Sequence, residues 1–196
     1  MSKTAILILA AGASKRLGEP KQLLPYKKTS LLSHTIQEAK SVKNAQVFVV
    51  TGAYFQEIFQ SIRSLGVTVL KNNDWENGMG SSLSKGIQFL KKKNLFDRVL
   101  ITLSDLPLMA CEHYEDLINL SIESKKRIIL TEYDDVSGVP VVFEKSLFDE
   151  LSLLNDDEGA KPVIEKYKKE VLKLRSKTPY FDVDTKEAYQ KLLELS

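Results

Sequence analysis

Residues 4–25 read TAILILAAGASKRLGEPKQLLP, an apolar run that leads directly into a loop of small residues, glycines and cations. The run lacks alternation of apolar and polar side chains, which is typical of a strand buried on both faces of a sheet. Gly12 and Gly18 let the following backbone bend and approach a ligand closely. The stretch therefore predicts a buried strand followed by a ligand-binding loop at its carboxyl end.

The remainder of the chain continues this pattern, with apolar runs alternating with amphipathic stretches. Strands are predicted at residues 46–51, 67–70, 98–103, 128–132, 139–143 and 171–174. Helices are predicted at 30–41, 54–64, 81–93, 112–124 and 186–195, with others starting at 146 and 160. Alternating strands and helices predict an α/β fold with three layers, in which helices cover both faces of a mostly parallel central sheet. A single domain over residues 1–196 is expected, because no break in composition divides the chain.

The composition is that of an ordinary globular protein, with 43% hydrophobic and 28% charged residues. The formal net charge of +2 is too small to indicate binding to nucleic acid or to a membrane. The two basic runs, at 91–93 and 125–127, fall at a predicted helix end and before a predicted strand, where a solvated face is the ordinary interpretation.

Cys111 is the single cysteine, which excludes an internal disulfide and a CxxC metal motif. The apolar run at 5–11 is too short to span a membrane, and only Lys3 precedes it as a cation. A cytoplasmic protein without a membrane partner is expected.

The first loop carries two cations suited to phosphate. Arg16 offers a planar fork to phosphate oxygens, and Lys21 supplies a point charge, while the glycines free backbone N–H groups for an anion. The spacing matches neither the Walker A motif nor Gly-x-Gly-x-x-Gly. A flexible connecting loop would explain the glycines alone but not the spaced cations, so the loop is interpreted as a triphosphate site.

A second glycine segment, WENGMGSSL at residues 75–83, opens a predicted helix. Ser81 or Ser82 is expected to be the N-cap, and the glycines leave N–H groups free at a positive helix end, which suits an anion or a polar base edge. A cap without any ligand is the alternative.

Two aspartates lie at the ends of distant extended segments. Asp105 is the second residue after the strand predicted at 98–103, and Asp184 lies just before the last predicted helix. A lone aspartate after a strand often only caps a turn. A pair, however, suits Mg²⁺, which prefers few carboxylates together with phosphate oxygens and water.

Residues 9–25, LAAGASKRLGEPKQLLP, closely resemble the signature of the molybdenum cofactor cytidylyltransferases, which have a Rossmann-like nucleotidyltransferase fold. The segments at 78–83 and 182–185 resemble further motifs of that family. The resemblance implies CTP as donor, molybdopterin as acceptor, Mg²⁺ held by Asp105 and Asp184, and catalytic roles for Arg16, Lys21 and Asp105. It implies a nucleotide site formed by Leu9, Ala10, Ala11, Gly12, Arg16, Lys21, Gly80, Ser81 and Ser82.

Some positions depart from the family pattern. Asp156 stands where the family's Gly-Asp-x-Gly-Ala-Arg element has glycine, and Lys161 stands where it has arginine. Lysine and arginine bind phosphate differently, which puts the acceptor contacts in doubt.

The alternatives to transfer of CMP onto molybdopterin are a guanylyltransferase that uses GTP, transfer onto a sugar phosphate, and a nucleotide-sensing module without catalysis. A transient contact with a molybdoenzyme or its chaperone is a further expectation from the resemblance.

Overall fold

The computed structural model describes residues 3–195. Within them the strands are β1 (Thr4–Ala10), β2 (Pro25–Tyr26), β3 (Thr29–Ser30), β4 (Ala45–Thr51), β5 (Thr68–Lys71), β6 (Arg98–Leu103), β7 (Ile128–Glu132), β8 (Ser137–Glu144) and β9 (Val171–Arg175). The α-helices are α1 (Leu31–Ser41), α2 (Phe55–Ile62), α3 (Met79–Lys93), α4 (Cys111–Glu123), α5 (Phe148–Leu151), α6 (Lys161–Lys166) and α7 (Lys186–Glu194). No helix among the described residues is long and apolar enough to cross a membrane.

The central sheet has seven strands in the order β5-β4-β1-β6-β8-β7-β9. β1 pairs in parallel with β4 and β6, and β4 pairs in parallel with β5. β8 lies antiparallel to both of its neighbours, β6 and β7, while β7 pairs in parallel with β9. The predicted mostly parallel sheet is confirmed, with β8 as the reversed strand.

β1 shows why the sheet is covered on both faces. Its residues at positions 6, 8 and 10 pack with side chains of α1, α2 and α4, whereas those at 5, 7 and 9 pack with side chains of α3, α5 and α6. Successive side chains of a strand point to opposite faces, so an unbroken apolar run serves both layers. The predicted three-layer α/β fold is confirmed.

A glycine sets the distance between α3 and the sheet. A Cβ on Gly86, in the middle of α3, would overlap the methyl groups of Leu7 on β1. Leu7 is fully buried, so there is no open space into which it can move. Glycine therefore lets α3 lie close over β1 and carries its first turn to the carboxyl end of that strand.

A smaller apolar cluster joins the first loop to the end of the chain. Leu17, Leu24 and Tyr26 pack with Leu31, and Val183 and Leu192 complete the cluster. The short hairpin of β2 and β3, which periodicity did not predict, belongs to this region. Because Val183 is fully buried there, the neighbouring Asp184 is held beside a loop that is more than 150 positions earlier in sequence.

Some predicted boundaries are wrong by a few residues. α3 begins at Met79 and not at residue 81, α2 ends at Ile62 before a short 3-10 turn, and β8 is longer than the predicted strand at 139–143. The start of α3 matters for function, because it changes the part that the two serines play.

Candidate active site

A cavity of about 610 Å³ opens at the carboxyl end of β1, within the usual size of a small-molecule site. Its walls come from the loop after β1, the segment before α3, the end of β6 and the 155–159 loop. The lining residues are Leu9, Ala10, Ala11, Gly12, Ala13, Lys15, Lys21, Gln22, Trp75, Glu76, Gly78, Met79, Ser82, Leu103, Ser104, Asp105 and Asp157.

The shape of the first loop depends on Gln22. This side chain is 1% exposed, and its Nε2 donates to the carbonyl oxygens of Ala10 (3.1 Å) and Gly12 (2.9 Å). Ser14 stabilises the turn that follows, since its backbone oxygen accepts from Leu17 and Gly18 and its hydroxyl accepts from the Lys21 amide. These bonds fix the backbone before any ligand arrives. Sequence reasoning missed Gln22, although its place directly after Lys21 in the family signature was a signal.

Lys21, Asp105 and Asp184 form one charged cluster. The Lys21 Nζ donates to Asp105 Oδ2, and to Asp184 Oδ1 at 2.5 Å. The Val183 amide donates to the Asp105 carbonyl oxygen at 3.1 Å, which brings the last loop against the end of β6. The structure thus brings together two carboxylates that are 79 positions apart in sequence (184 − 105) around one ammonium group.

Burial and charge shift the pKa values in this cluster in different directions. Burial raises the pKa of Asp105, and the nearby Lys21 only partly opposes this. Burial acts to lower the pKa of Lys21, but the two carboxylates outweigh it and raise the pKa above the ordinary value. Burial acts to raise the pKa of Asp184, but hydrogen bonds and attraction from Lys21 and Arg16 lower it overall. Lys21 is accordingly the cation that balances the negative charge of the buried Asp105 carboxylate.

Arg16 lies at the outer edge of the cluster. Its Nη2 donates to Asp184 Oδ2 at 2.5 Å, but its side chain is 71% exposed. A pair this open to solvent contributes little to stability, of the order of 1 kcal/mol or less. The guanidinium is therefore free to exchange its carboxylate partner for a phosphate at small cost.

The two aspartates offer carboxylate oxygens of the kind that a divalent cation binds. Asp105 Oδ1 is buried and has no hydrogen-bond partner among the described residues, so one acceptor oxygen is left for a cation. Asp184 supplies a second carboxylate on the other side of the Lys21 ammonium. No group of three or more His, Cys, Asp or Glu side chains that could hold a metal is found within residues 3–195. Mg²⁺ is often coordinated by one or two carboxylates, with phosphate oxygens and water as the remaining ligands.

The prediction that Ser81 or Ser82 caps α3 is wrong. The cap is Gly78, whose φ of +99° is a conformation that favours glycine, and both serines lie in the first turns of the helix. The Ser81 hydroxyl is held by the carbonyl oxygens of Asp74 (2.8 Å) and Gly78 (2.9 Å). Asn72 Nδ2 donates to both serine hydroxyls, at 3.0 and 3.1 Å, so the serines stabilise the turn before the helix.

The residues predicted to bind nucleotide, to hold the metal or to take part in catalysis fall into two groups. Leu9, Ala10, Ala11, Gly12, Lys21, Ser82 and Asp105 line the cavity, whereas Arg16, Gly80, Ser81 and Asp184 do not. The Gly80 amide already donates to the Asp156 carbonyl oxygen at 2.6 Å, so it is not free for a ligand in this structure. Lys15, Trp75, Glu76 and Asp157 line the cavity without having been predicted to bind nucleotide.

Comparison with known proteins agrees with this geometry. The model of the MobA-like NTP transferase domain matches residues 6–171. The purine catabolism protein PucB of Bacillus subtilis strain 168 is 29% identical over 93% of this chain and 92% of its own length. The molybdenum cofactor cytidylyltransferase of Escherichia coli strain K12 is 23% identical over 74% of this chain and 72% of its own.

Solved structures share this fold. The crystal structure of Rv0371c from Mycobacterium tuberculosis H37Rv superposes with a TM-score of 0.87 at 28% identity, covering 98% of each chain. A structure of Rv0371c in complex with manganese superposes with a TM-score of 0.83 at 26% identity over the full length of both chains. Because the family model matches more than two thirds of the chain, this protein belongs to the MobA-like NTP transferase domain family, and its chemistry is nucleotidyl transfer.

Proposed function

We propose that this protein is a Mg²⁺-dependent cytidylyltransferase that transfers CMP from CTP to the terminal phosphate of molybdopterin. The phosphate oxygen attacks the α-phosphorus of CTP, the bond between the α- and β-phosphates breaks, and pyrophosphate leaves. The product is molybdopterin cytosine dinucleotide.

The observation that carries the proposal is the cluster of Lys21, Asp105 and Asp184 beside the glycine-rich loop. A cavity that only bound a nucleotide would need cations for the phosphates. It would not need two carboxylates at the same point, since carboxylates repel a triphosphate unless a cation lies between the carboxylates and the phosphates. The pair of aspartates therefore favours catalysis over a nucleotide-sensing module.

The reaction needs no acid–base residue from the chain. A phosphate monoester has a second pKa near ~6, so the acceptor is largely ionised at neutral pH and no general base is required. What remains is to align two anions and to neutralise the charge on the donor phosphates. Lys21 and Arg16 are the proposed phosphate ligands, because each donates to Asp184, an acceptor that a phosphate oxygen can replace.

Asp105 and Asp184 are the proposed Mg²⁺ ligands, with the unpartnered Asp105 Oδ1 as the buried donor atom. The metal neutralises phosphate charge and activates the α-phosphorus toward attack when it is bound. A divalent cation is also supported by the Rv0371c structure, which was determined as a complex with manganese.

CTP is the proposed donor on two grounds. Ala11 is 7% exposed and lines the cavity, and its methyl group narrows the space beside a base, which favours a pyrimidine over a purine. The similarity to the E. coli molybdenum cofactor cytidylyltransferase, at 23% identity, points to the same donor and to molybdopterin. In this proposal the enzyme works in the cytoplasm and passes its product to a molybdoenzyme or its chaperone.

Pyrophosphate release with each of the four NTPs, with and without molybdopterin, tests the proposal. We expect the highest kcat/KM with CTP, strict dependence on molybdopterin and Mg²⁺, and loss of turnover in Asp105→Asn and Asp184→Asn. Gln46→Glu, at an exposed position on β4 that does not line the cavity, is a control in which one charge is changed away from the site.

Three other outcomes would replace the proposal in part or whole. A preference for GTP would make the protein a guanylyltransferase. Turnover with a sugar phosphate in place of molybdopterin would change the acceptor class. Binding of NTP without pyrophosphate release under any condition would leave a nucleotide-binding module.

A further inference from the structure

The cavity has carboxylates at both of its ends. Asp105 follows β6, on one side of β1, while Trp75, Glu76 and Gly78 follow β5, on the other side. Lys21 accompanies Asp105 at the first end. At the second end Asp157 lines the same cavity as Gly78 and Met79.

The 155–159 loop packs against the second end of the cavity. The Gly80 amide donates to the Asp156 carbonyl oxygen at 2.6 Å, and the Glu158 amide donates to Asp156 Oδ1 at 3.0 Å. A Cβ on Gly78 would overlap the Asp157 carboxylate, so this carboxylate lies directly against the backbone before α3. The family resemblance connects this loop with the acceptor, whereas in the structure the loop lies against residues 78–80 at the start of α3.

Asp157 is an exposed residue that lines the cavity, and its carboxylate has no hydrogen bond or ion pair to the protein among residues 3–195. By contrast, Lys21 holds the carboxylate of Asp105 at the other end. An ionised carboxylate can only accept hydrogen bonds. It therefore suits a ligand that brings an N–H donor and no negative charge to this end.

We propose that Asp157 is a specificity-determining residue, which accepts a hydrogen bond from the exocyclic amino group of the donor base. The inference rests on the proposed function, in that the phosphates of the nucleotide lie at the Lys21 end and the base lies between Ala11 and the start of α3. The base is then within the part of the cavity that Asp157 lines.

The chemistry of the bases makes the inference selective. Cytosine presents an N4 amino group, and guanine presents N1–H and the N2 amino group. Uracil has a carbonyl oxygen where cytosine has its amino group, so two acceptors would face each other at Asp157. The carboxylate thus rejects uracil while it accepts cytosine, which the size of Ala11 cannot achieve because the two pyrimidines have the same shape.

Matched nucleotide pairs test this directly. The chain has a single tryptophan, Trp75, and it lines the cavity, so its fluorescence reports nucleotide binding without any acceptor. Dissociation constants for CTP and UTP, and for GTP and its analogue ITP, which lacks the N2 amino group, are measured in Mg²⁺ for wild type and Asp157→Asn. Glu158→Gln is the control, since it removes the same charge from the same loop at a residue that does not line the cavity.

We expect Asp157→Asn to reduce the preference for CTP over UTP by about tenfold, because an amide rotates to donate or accept and no longer discriminates. Glu158→Gln should leave the ratio unchanged. Unchanged CTP:UTP and GTP:ITP ratios in Asp157→Asn, with nucleotide still bound, would overturn the inference and leave nucleotidyl transfer intact.

Turnover separates the two remaining cases. If Asp157→Asn raises only the KM for molybdopterin, the carboxylate faces the acceptor and the inference is wrong. If wild type discriminates between the bases and Asp157→Asn loses this discrimination, but neither protein releases pyrophosphate, the proposed function fails while the inference about Asp157 stands. Absence of binding by any nucleotide would overturn both.

Discussion

Replacement of Lys21 by methionine tests how the charged cluster is stabilised. Methionine keeps the length and apolar stem of lysine but removes the ammonium group that joins Asp105 to Asp184. The side chains of Lys21 and Asp105 are only 14% and 10% exposed, so the substitution leaves a buried carboxylate without its cation. Asp184 is 30% exposed and keeps Arg16, so it contributes little to the loss.

The size of the effect follows from burial. Removing one partner of a buried ion pair typically costs about 3–5 kcal/mol of folding free energy. Asp105 can escape part of this cost by taking up a proton, since each unit by which its pKa rises corresponds to about 1.4 kcal/mol. We therefore expect Lys21→Met to lower the free energy of unfolding by about 3 kcal/mol at neutral pH. The loss should shrink as the pH falls, because a protonated Asp105 needs no cation.

Urea denaturation of four proteins measures the coupling: wild type, Lys21→Met, Asp105→Asn and the double variant. The double variant should be more stable than Lys21→Met alone, because asparagine carries no charge to bury. Lys15→Met is the matched control, since Lys15 belongs to the same loop but has no ion pair within residues 3–195. A Lys21→Met protein as stable as Lys15→Met, or a double variant no more stable than Lys21→Met, would refute the reasoning.

Three further predictions concern the loop geometry, the pH dependence of stability and the choice of donor. Gly78→Ala should cost about 2 kcal/mol in urea unfolding, from its positive φ and the overlap with the 156–157 loop, whereas Gly138→Ala, whose Cβ meets nothing within 4 Å, should change little. Burial lowers the pKa of His34, so the unfolded chain binds a proton at a higher pH than the folded protein does. The free energy of unfolding should therefore decrease as the pH falls below about 6.5, and His34→Gln should flatten that decrease. An unchanged slope in this variant would argue against the role of His34. Ala11→Gly should narrow the kcat/KM preference for CTP over GTP by about tenfold in a competition assay, mainly by admitting GTP, and an unaltered ratio would show that its methyl group does not select the base.

The sequence was enough to predict the elements around the site because those signals are local. The run at 5–10 is uniformly apolar, and a strand buried on both faces is the ordinary result. The family resemblance implied a nucleotide site that includes residues 9–12 and Lys21, and in the structure these residues line the cavity. The start of α3 was predicted wrongly because Ser81 and Ser82 are favourable caps in isolation. In the structure Asn72 engages both hydroxyls, which is a contact that no local pattern reveals.

The sequence by itself determined the class of fold, the glycine-rich loop and the pair of aspartates, because hydrophobic periodicity and residue chemistry are properties of short segments. Only the tertiary structure decided which side chains meet. The insertion of β8 between β6 and β7, the union of Lys21 with Asp105 and Asp184, and the position of Asp157 against Gly78 all join segments far apart in the chain. Such contacts depend on how helices and strands pack over long sequence separations, and packing is set by the volume and shape of the whole core rather than by any single motif.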